Sequence, residues 1–205
     1  YANVDGNGII VGGLGNSVGI AGGITVNGQV QASSNGASAT GIRIGAAATV
    51  PEIRNAGVID VLGKTATGIA VDVSGTLPAV RNSGTIRATA SATTGSATAI
   101  IVRSGTLVLV ENSGAILATG AAADSARNVA IDLTANGTGA TVRQTAVAAD
   151  KTAPSISGDI LFGAGNDLLD IADGTMAGLA SFGTGNNGLT LSGDAAYAGK
   201  ALFGA

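Results

Sequence analysis

An internal repeat of about 30 residues constrains this chain more than any other feature. Ile53-Arg54-Asn55-Ala56-Gly57-Val58-Ile59 returns as Val80-Arg81-Asn82-Ser83-Gly84-Thr85-Ile86 and again as Val110-Glu111-Asn112-Ser113-Gly114-Ala115-Ile116, with the glycines 27 and 30 residues apart. A weaker copy, Thr25-Val26-Asn27-Gly28-Gln29-Val30, precedes them, and a degenerate one, Val142-Arg143-Gln144-Thr145-Ala146-Val147, follows. Self-similarity at a fixed period of this size is the mark of stacked repeat architectures, in which one unit cannot bury its apolar face without its neighbours.

Two further motifs keep step with the first. One reads Ala39-Thr40-Gly41-Ile42-Arg43-Ile44, Ala66-Thr67-Gly68-Ile69-Ala70-Val71, Ala97-Thr98-Ala99-Ile100-Ile101-Val102 and Asn128-Val129-Ala130-Ile131-Asp132-Leu133. The other reads Ala48-Thr49-Val50-Pro51-Glu52-Ile53, Gly75-Thr76-Leu77-Pro78-Ala79-Val80 and Gly105-Thr106-Leu107-Val108-Leu109-Val110. Each unit therefore holds three short alternating runs, which point successive side chains to opposite sides of a strand. Three strands per turn predict an all-β fold, a parallel β-helix (β-solenoid) of roughly eight coils. At the usual strand spacing of about 4.8 Å this is a rod of roughly 35–40 Å.

From about residue 156 the period shortens. Leu161-Phe162-Gly163-Ala164-Gly165-Asn166-Asp167-Leu168 is echoed by Ser181-Phe182-Gly183-Thr184-Gly185-Asn186-Asn187-Gly188, and the phenylalanines step by 20 and then 21 residues to Phe203. The organisation predicted is a solenoid with ~27–31-residue coils over 1–145, a connecting loop over 146–157, and a solenoid with ~20-residue coils over 158–205 that breaks off inside a further copy. The first residue is Tyr1, which suggests a processed chain or a piece of a longer one.

Composition excludes several chemistries. The 205 residues include no Cys, His or Trp, so disulfides, zinc sites of the usual ligands and Ser–His or Cys–His nucleophiles are out. Lys and Glu, staples of exposed helix, occur 3 and 2 times, against a bundle or a helix-covered sheet. A formal charge of −3 with scattered Arg does not make a nucleic-acid surface. Disorder is excluded by 45% hydrophobic residues with little charge, and no apolar run is long enough for a membrane helix.

The repeat columns have structural readings. Gly57, Gly84 and Gly114 are expected at a corner with positive φ, cheap only for glycine. Asn55, Asn82 and Asn112 either stack as an amide ladder along the rod or serve as turn formers. Arg54, Arg81, Glu111 and Arg143 share one solvent-facing column, where Glu111 relieves like-charge stacking. Neither column reads as a catalytic or cofactor site.

Three candidates for chemistry remain. Asp167, Asp170 and Asp173 follow a glycine-rich turn that resembles the calcium-binding nonapeptide of some β-rolls, but the next copy has lost the aspartates, so they are weak calcium candidates. Asp72, Arg103 and Asp132 fall near equivalent positions on successive coils and form a conceivable charged patch for polysaccharide chemistry. Asn136-Gly137-Thr138 matches a glycosylation acceptor by pattern alone.

The imperfect Asn-x-Gly-x-Ile repeats, followed by Phe-Gly-x-Gly-Asn-x-x-Leu repeats, resemble the passenger domains of bacterial autotransporter (type V secreted) proteins over most of the chain. That resemblance implies a right-handed parallel β-helix serving as a stalk or adhesin segment, displayed at the cell surface through a C-terminal translocator barrel not present in this sequence. It implies no catalysis and no cofactor, with a host or bacterial surface as partner. An alternative of another class is a subunit of an extracellular filament or coat, self-associating through uncapped solenoid ends. A polysaccharide-active β-helix is a distant third.

Overall fold

In a computed structural model, which describes residues 3–204, the chain winds as an all-β parallel solenoid. It opens with β1 (Gly6–Val11), β2 (Val18–Gly19), β3 (Ile24–Val26) and β4 (Gln29–Ser33). The next coil holds β5 (Ser38–Ile44), β6 (Ala48–Thr49), β7 (Glu52–Asn55) and β8 (Val58–Gly63). Then come β9 (Thr65–Val71), β10 (Ala79–Asn82) and β11 (Thr85–Ala90), followed by β12 (Ser96–Val102), β13 (Leu109–Asn112) and β14 (Ala115–Thr119). The last long coil has β15 (Asn128–Leu133), β16 (Thr141–Gln144) and β17 (Ser155–Ser157). The chain continues through β18 (Asp159–Phe162), β19 (Leu168–Ile171), β20 (Thr175–Ser181), β21 (Gly188–Leu191) and β22 (Ala196–Leu202).

Equivalent strands stack in parallel register and make three faces. The first is β1-β5-β9-β12-β15-β18, the second β4-β8-β11-β14-β17, and the third β3-β7-β10-β13-β16-β19-β21. Register follows the repeat residue for residue: Ile42 opposes Ile69, Ile69 opposes Ile100 and Ile100 opposes Ile131. These isoleucines are fully buried, as are Ile59, Ile86 and Ile116 on the second face. Each such side chain contributes about 1.5–3 kcal/mol relative to exposure. No single run buries enough to persist alone, so stacking is the source of stability.

The two periods correspond to two coil outlines. In the long coils a corner of varying length separates the second face from the first, Lys64 alone between β8 and β9 and residues 91–95 between β11 and β12. Between β17 and β18 the corner is Gly158, and it then vanishes: β20 pairs with β17 through its first half and β18 through its second. The short coils thus have two strands where three were expected. Gly158, Gly178 and Gly199 mark the former corner, and a Cβ on Gly178 or Gly199 would run into the carbonyl of the glycine one coil below. Within the expected connecting segment 146–157, residues 155–157 form β17, and the loop proper runs over 145–154.

The core residues change with the outline. The first-face isoleucine column ends Ile131, Ile160, Ala180, Ala201. The neighbouring column grows instead, from Val71 and Val102 through Leu133 to Phe162. Phe162, Phe182 and Phe203 stack with ring centroids 4.9 and 4.6 Å apart and planes within 5°. One column gives up volume while its neighbour gains it.

Candidate functional site

Beneath the third face the Asn column is buried. Asn55 Nδ2 donates to Asn82 Oδ1 at 2.7 Å, Asn82 Nδ2 to Asn112 Oδ1 at 2.8 Å, and Asn112 Nδ2 to Gln144 Oε1 at 3.2 Å. The same amides donate to backbone carbonyls at the turn, Thr85 O, Gly84 O and Gly114 O among them. Gln144, which stands where the repeat degenerates, continues the series by donating to Asp173 O at 2.6 Å. At the other end the column holds Val26, which opposes Asn55, and Asn55 Oδ1 has no partner. Asn27 lies one place along.

The glycine column has a different cause from the one expected. Gly57, Gly84 and Gly114 are not among the positive-φ residues. What requires glycine is close approach: a Cβ at each would overlap the carbonyl oxygen of Gly28, Gly57 and Gly84 respectively. The tight turn brings consecutive backbones together with no room for a side chain.

Outside the ladder lies the charged column. Glu52 joins Arg54 and Arg81, the latter at 2.8 Å, and Arg81 also reaches Glu111 at 2.8 Å. The two guanidinium groups hold the Glu52 carboxyl below its ordinary value, Arg54 first and against some burial, while Glu111 and Glu52 push Arg81 up. Arg143 pairs with Asp170 at 3.1 Å. On the second face Arg87 grips Asp60 with two 2.8 Å bonds and lowers its pKa. Half-exposed pairs such as these neutralise outward columns and are each worth about 0–1 kcal/mol.

The three calcium candidates do not converge. Asp170 faces outward to Arg143, Asp173 Oδ2 accepts from Val147 N at 3.0 Å, and Asp167 is buried with Oδ1 accepting from Ala140 N at 2.8 Å. Among the described residues no three acidic side chains gather as a metal would need. Asn136 is buried as well and its amide donates to Leu107 O, so its side chain faces away from solvent.

The glycan trio is likewise divided. Asp72 lies between Arg43, at 2.7 Å, and Arg103, at 3.9 Å. Asp132 stands two places along the strand, opposite Ile101, and caps Thr134 instead. Sequence reasoning missed Arg43 as the partner of Asp72, because the contact spans one coil and two positions along the strand. It also missed the shape around them. On β9 the outward-facing Thr67 and Ala70 are only 9% and 5% exposed. They floor an open depression of about 570 Å³, walled by Arg43, Asp72 and Arg103 and edged by hydroxyls of Ser38, Thr40 and Thr65. Asn7, Thr40, Thr67 and Thr98 form one polar column across it. The signal was present in the Ala-Thr-Gly-Ile motif, whose Thr is the outward member of each run.

The rod ends carry apolar surface. Val4, Ile10 and Leu14 are exposed at one end, and Leu191, Leu202 and Phe203 at the other. No known protein family matches the chain, and no characterised protein or solved structure shows significant similarity to it.

Proposed function

We propose that this chain is a non-enzymatic stalk or adhesin segment of an autotransporter-like exported protein, displayed at a bacterial cell surface and dependent on a translocator barrel elsewhere in the polypeptide. The observation that carries the reading is the repeat itself, a stack in which the six first-face strands are continued by β20 and β22, with a continuous apolar core and paired charges outside. Such a stack makes long, flat, polar walls and grows coil by coil, a property suited to folding at the far side of a membrane. The depression around Thr67 and Ala70 is the contact surface for a polar partner, with hydroxyls and Arg103 offering hydrogen bonds.

The test is antibody labelling of intact source cells, with the mass of the native band read on a denaturing gel. Surface labelling and a band several times the mass of these 205 residues support the proposal. Labelling only after lysis overturns it.

The filament reading stands second. Exposed Leu202 and Phe203 favour a stacking contact at that end. Against head-to-tail assembly, the first coil has three faces and the last has two, so unlike outlines would meet. Electron microscopy of the purified chain at high concentration distinguishes the two: long unbranched fibres would put the filament first.

A further inference from the structure

We propose that Asp167 keeps its proton at neutral pH and donates it to the carbonyl oxygen of Gly163, so that a carboxylic acid does the work of an amide where the long coils meet the short ones. Two equivalent turns, Gly163-Ala164-Gly165-Asn166-Asp167 and Gly183-Thr184-Gly185-Asn186-Asn187, are set in register by the pairing of Leu168 with Gly188. Both turns place a positive-φ glycine at the same position, Gly165 and Gly185.

In the second turn the Asn187 side chain has two partners. Its Oδ1 accepts from Asp167 N at 2.9 Å, and its Nδ2 donates to Gly183 O at 2.8 Å. In the first turn Asp167 repeats half of this, with Oδ1 accepting from Ala140 N at 2.8 Å. The other oxygen, Oδ2, is buried and has no partner, in a residue only 2% exposed. By the equivalence of the turns Oδ2 takes the place of Asn187 Nδ2, and the group it addresses is Gly163 O. Two acceptors facing one another in a buried place repel, and a buried ionised carboxylate with one oxygen lacking any donor and no charged partner is strongly disfavoured. A proton on Oδ2 removes both difficulties with one hydrogen bond.

The surroundings agree. Burial pushes the Asp167 carboxyl up, opposed only by the Ala140 N–H, and no charged side chain contributes. The turn before β16 presents the Ala140 backbone, and the turn before β21 presents Asn187. On β19 itself, Asp170 is turned outward to Arg143, and Asp173, beyond the strand, is bound to Val147 N.

Below the ordinary carboxylate range both folded and unfolded chains carry the proton. Above it the unfolded chain releases the proton and the folded chain does not, so stability falls as pH rises toward neutrality.

The experiment is infrared difference spectroscopy at pH 7 on the 205-residue chain and its Asp167→Asn variant, with melting of both from pH 4 to pH 8. The wild type should show a carboxylic-acid C=O stretch that the variant lacks. The variant should melt higher at pH 7, the gap in folding equilibrium widening by up to about tenfold per pH unit across the window. The infrared reading on the wild type needs no variant to fold. A carboxylate band with no acid band at pH 7 overturns the proposal. So does a variant whose melting runs parallel to wild type, or a calcium-induced rise in melting that Asp167→Asn abolishes, which would show an ionised, cation-bound carboxylate.

Discussion

The three-faced coils and the two-faced coils solve one problem, how to close a turn of chain around an apolar centre, in different ways. The long coils use three short runs and fill the space between them with Ile, Val and Leu, plus a side-chain ladder of amides under one turn. The short coils fuse two runs into one seven-residue strand and fill a flatter interior with stacked phenylalanines. The comparison shows that the number of faces is set at a corner. Where a corner lies between two strands, whether Lys64 alone or the five residues 91–95, there are two faces; where Gly178 or Gly199 falls inside a strand, the two runs join. Isoleucine at the Ala180 position would fit a triangular interior but not a flattened one.

The difference can be broken at its aromatic end first. Phe182→Ala should cost about 3–5 kcal/mol and unfold the short coils ahead of the long ones, seen as a separate early phase in chemical denaturation. A single unshifted transition would show that the stacked rings matter less than their burial implies. In the long coils, Asn82→Ala interrupts the ladder at its middle and strips the turn carbonyls Gly84 O and Ala115 O of a donor. A loss of about 1–3 kcal/mol is expected from the urea midpoint, confined to those coils by hydrogen exchange. Ala180→Ile tests the outline directly: overpacking should cost about 1–3 kcal/mol, although isoleucine is the native residue at the same column position in Ile160.

A smaller effect comes with acid. Glu52 and Asp60 have their carboxyl pKa values lowered by Arg54, Arg81 and Arg87. Their contribution is present above the ordinary carboxylate range and is lost as pH falls through the lowered values. Both lie in the long coils, so those coils should soften first below about pH 4. Arg87→Gln should remove part of that dependence. The smallest change sharpens the ladder's free end: Val26→Asn offers a donor to Asn55 Oδ1, and a gain of no more than about 1 kcal/mol is expected in the melting of the first coils.

Much of this fold was legible in the sequence because a solenoid repeats its environment. Parallel strands in register bring like residues to like positions, so Ile53, Val80 and Val110 could be aligned on paper and then found paired in space. The change of period at residue 156 likewise announced a change of coil. The count of faces in the short coils was not legible, because nothing local distinguishes a glycine that turns a corner from one that lets a strand run straight. Gly57 illustrates the same limit: its turn was expected from Asn-x-Gly, but the reason for glycine was the carbonyl of Gly28, one coil away.

The candidate site divides along the same line. Sequence placed Asp72 and Arg103 on successive coils but set Asp132 with them, an error of two positions along a strand that only the register corrects. It named Asp167, Asp170 and Asp173 as neighbours, and they are neighbours in the chain alone. A strand sends alternate side chains to opposite sides, and a turn between strands redirects the rest, so three aspartates three residues apart end in three environments. The order of strands, the columns and the change of period were thus determined by the sequence, since they depend on local alternation and repetition. The depression at Thr67, the pairing of Arg43 with Asp72 and the buried setting of Asp167 were decided by tertiary structure, because each depends on which atoms of other coils stand opposite.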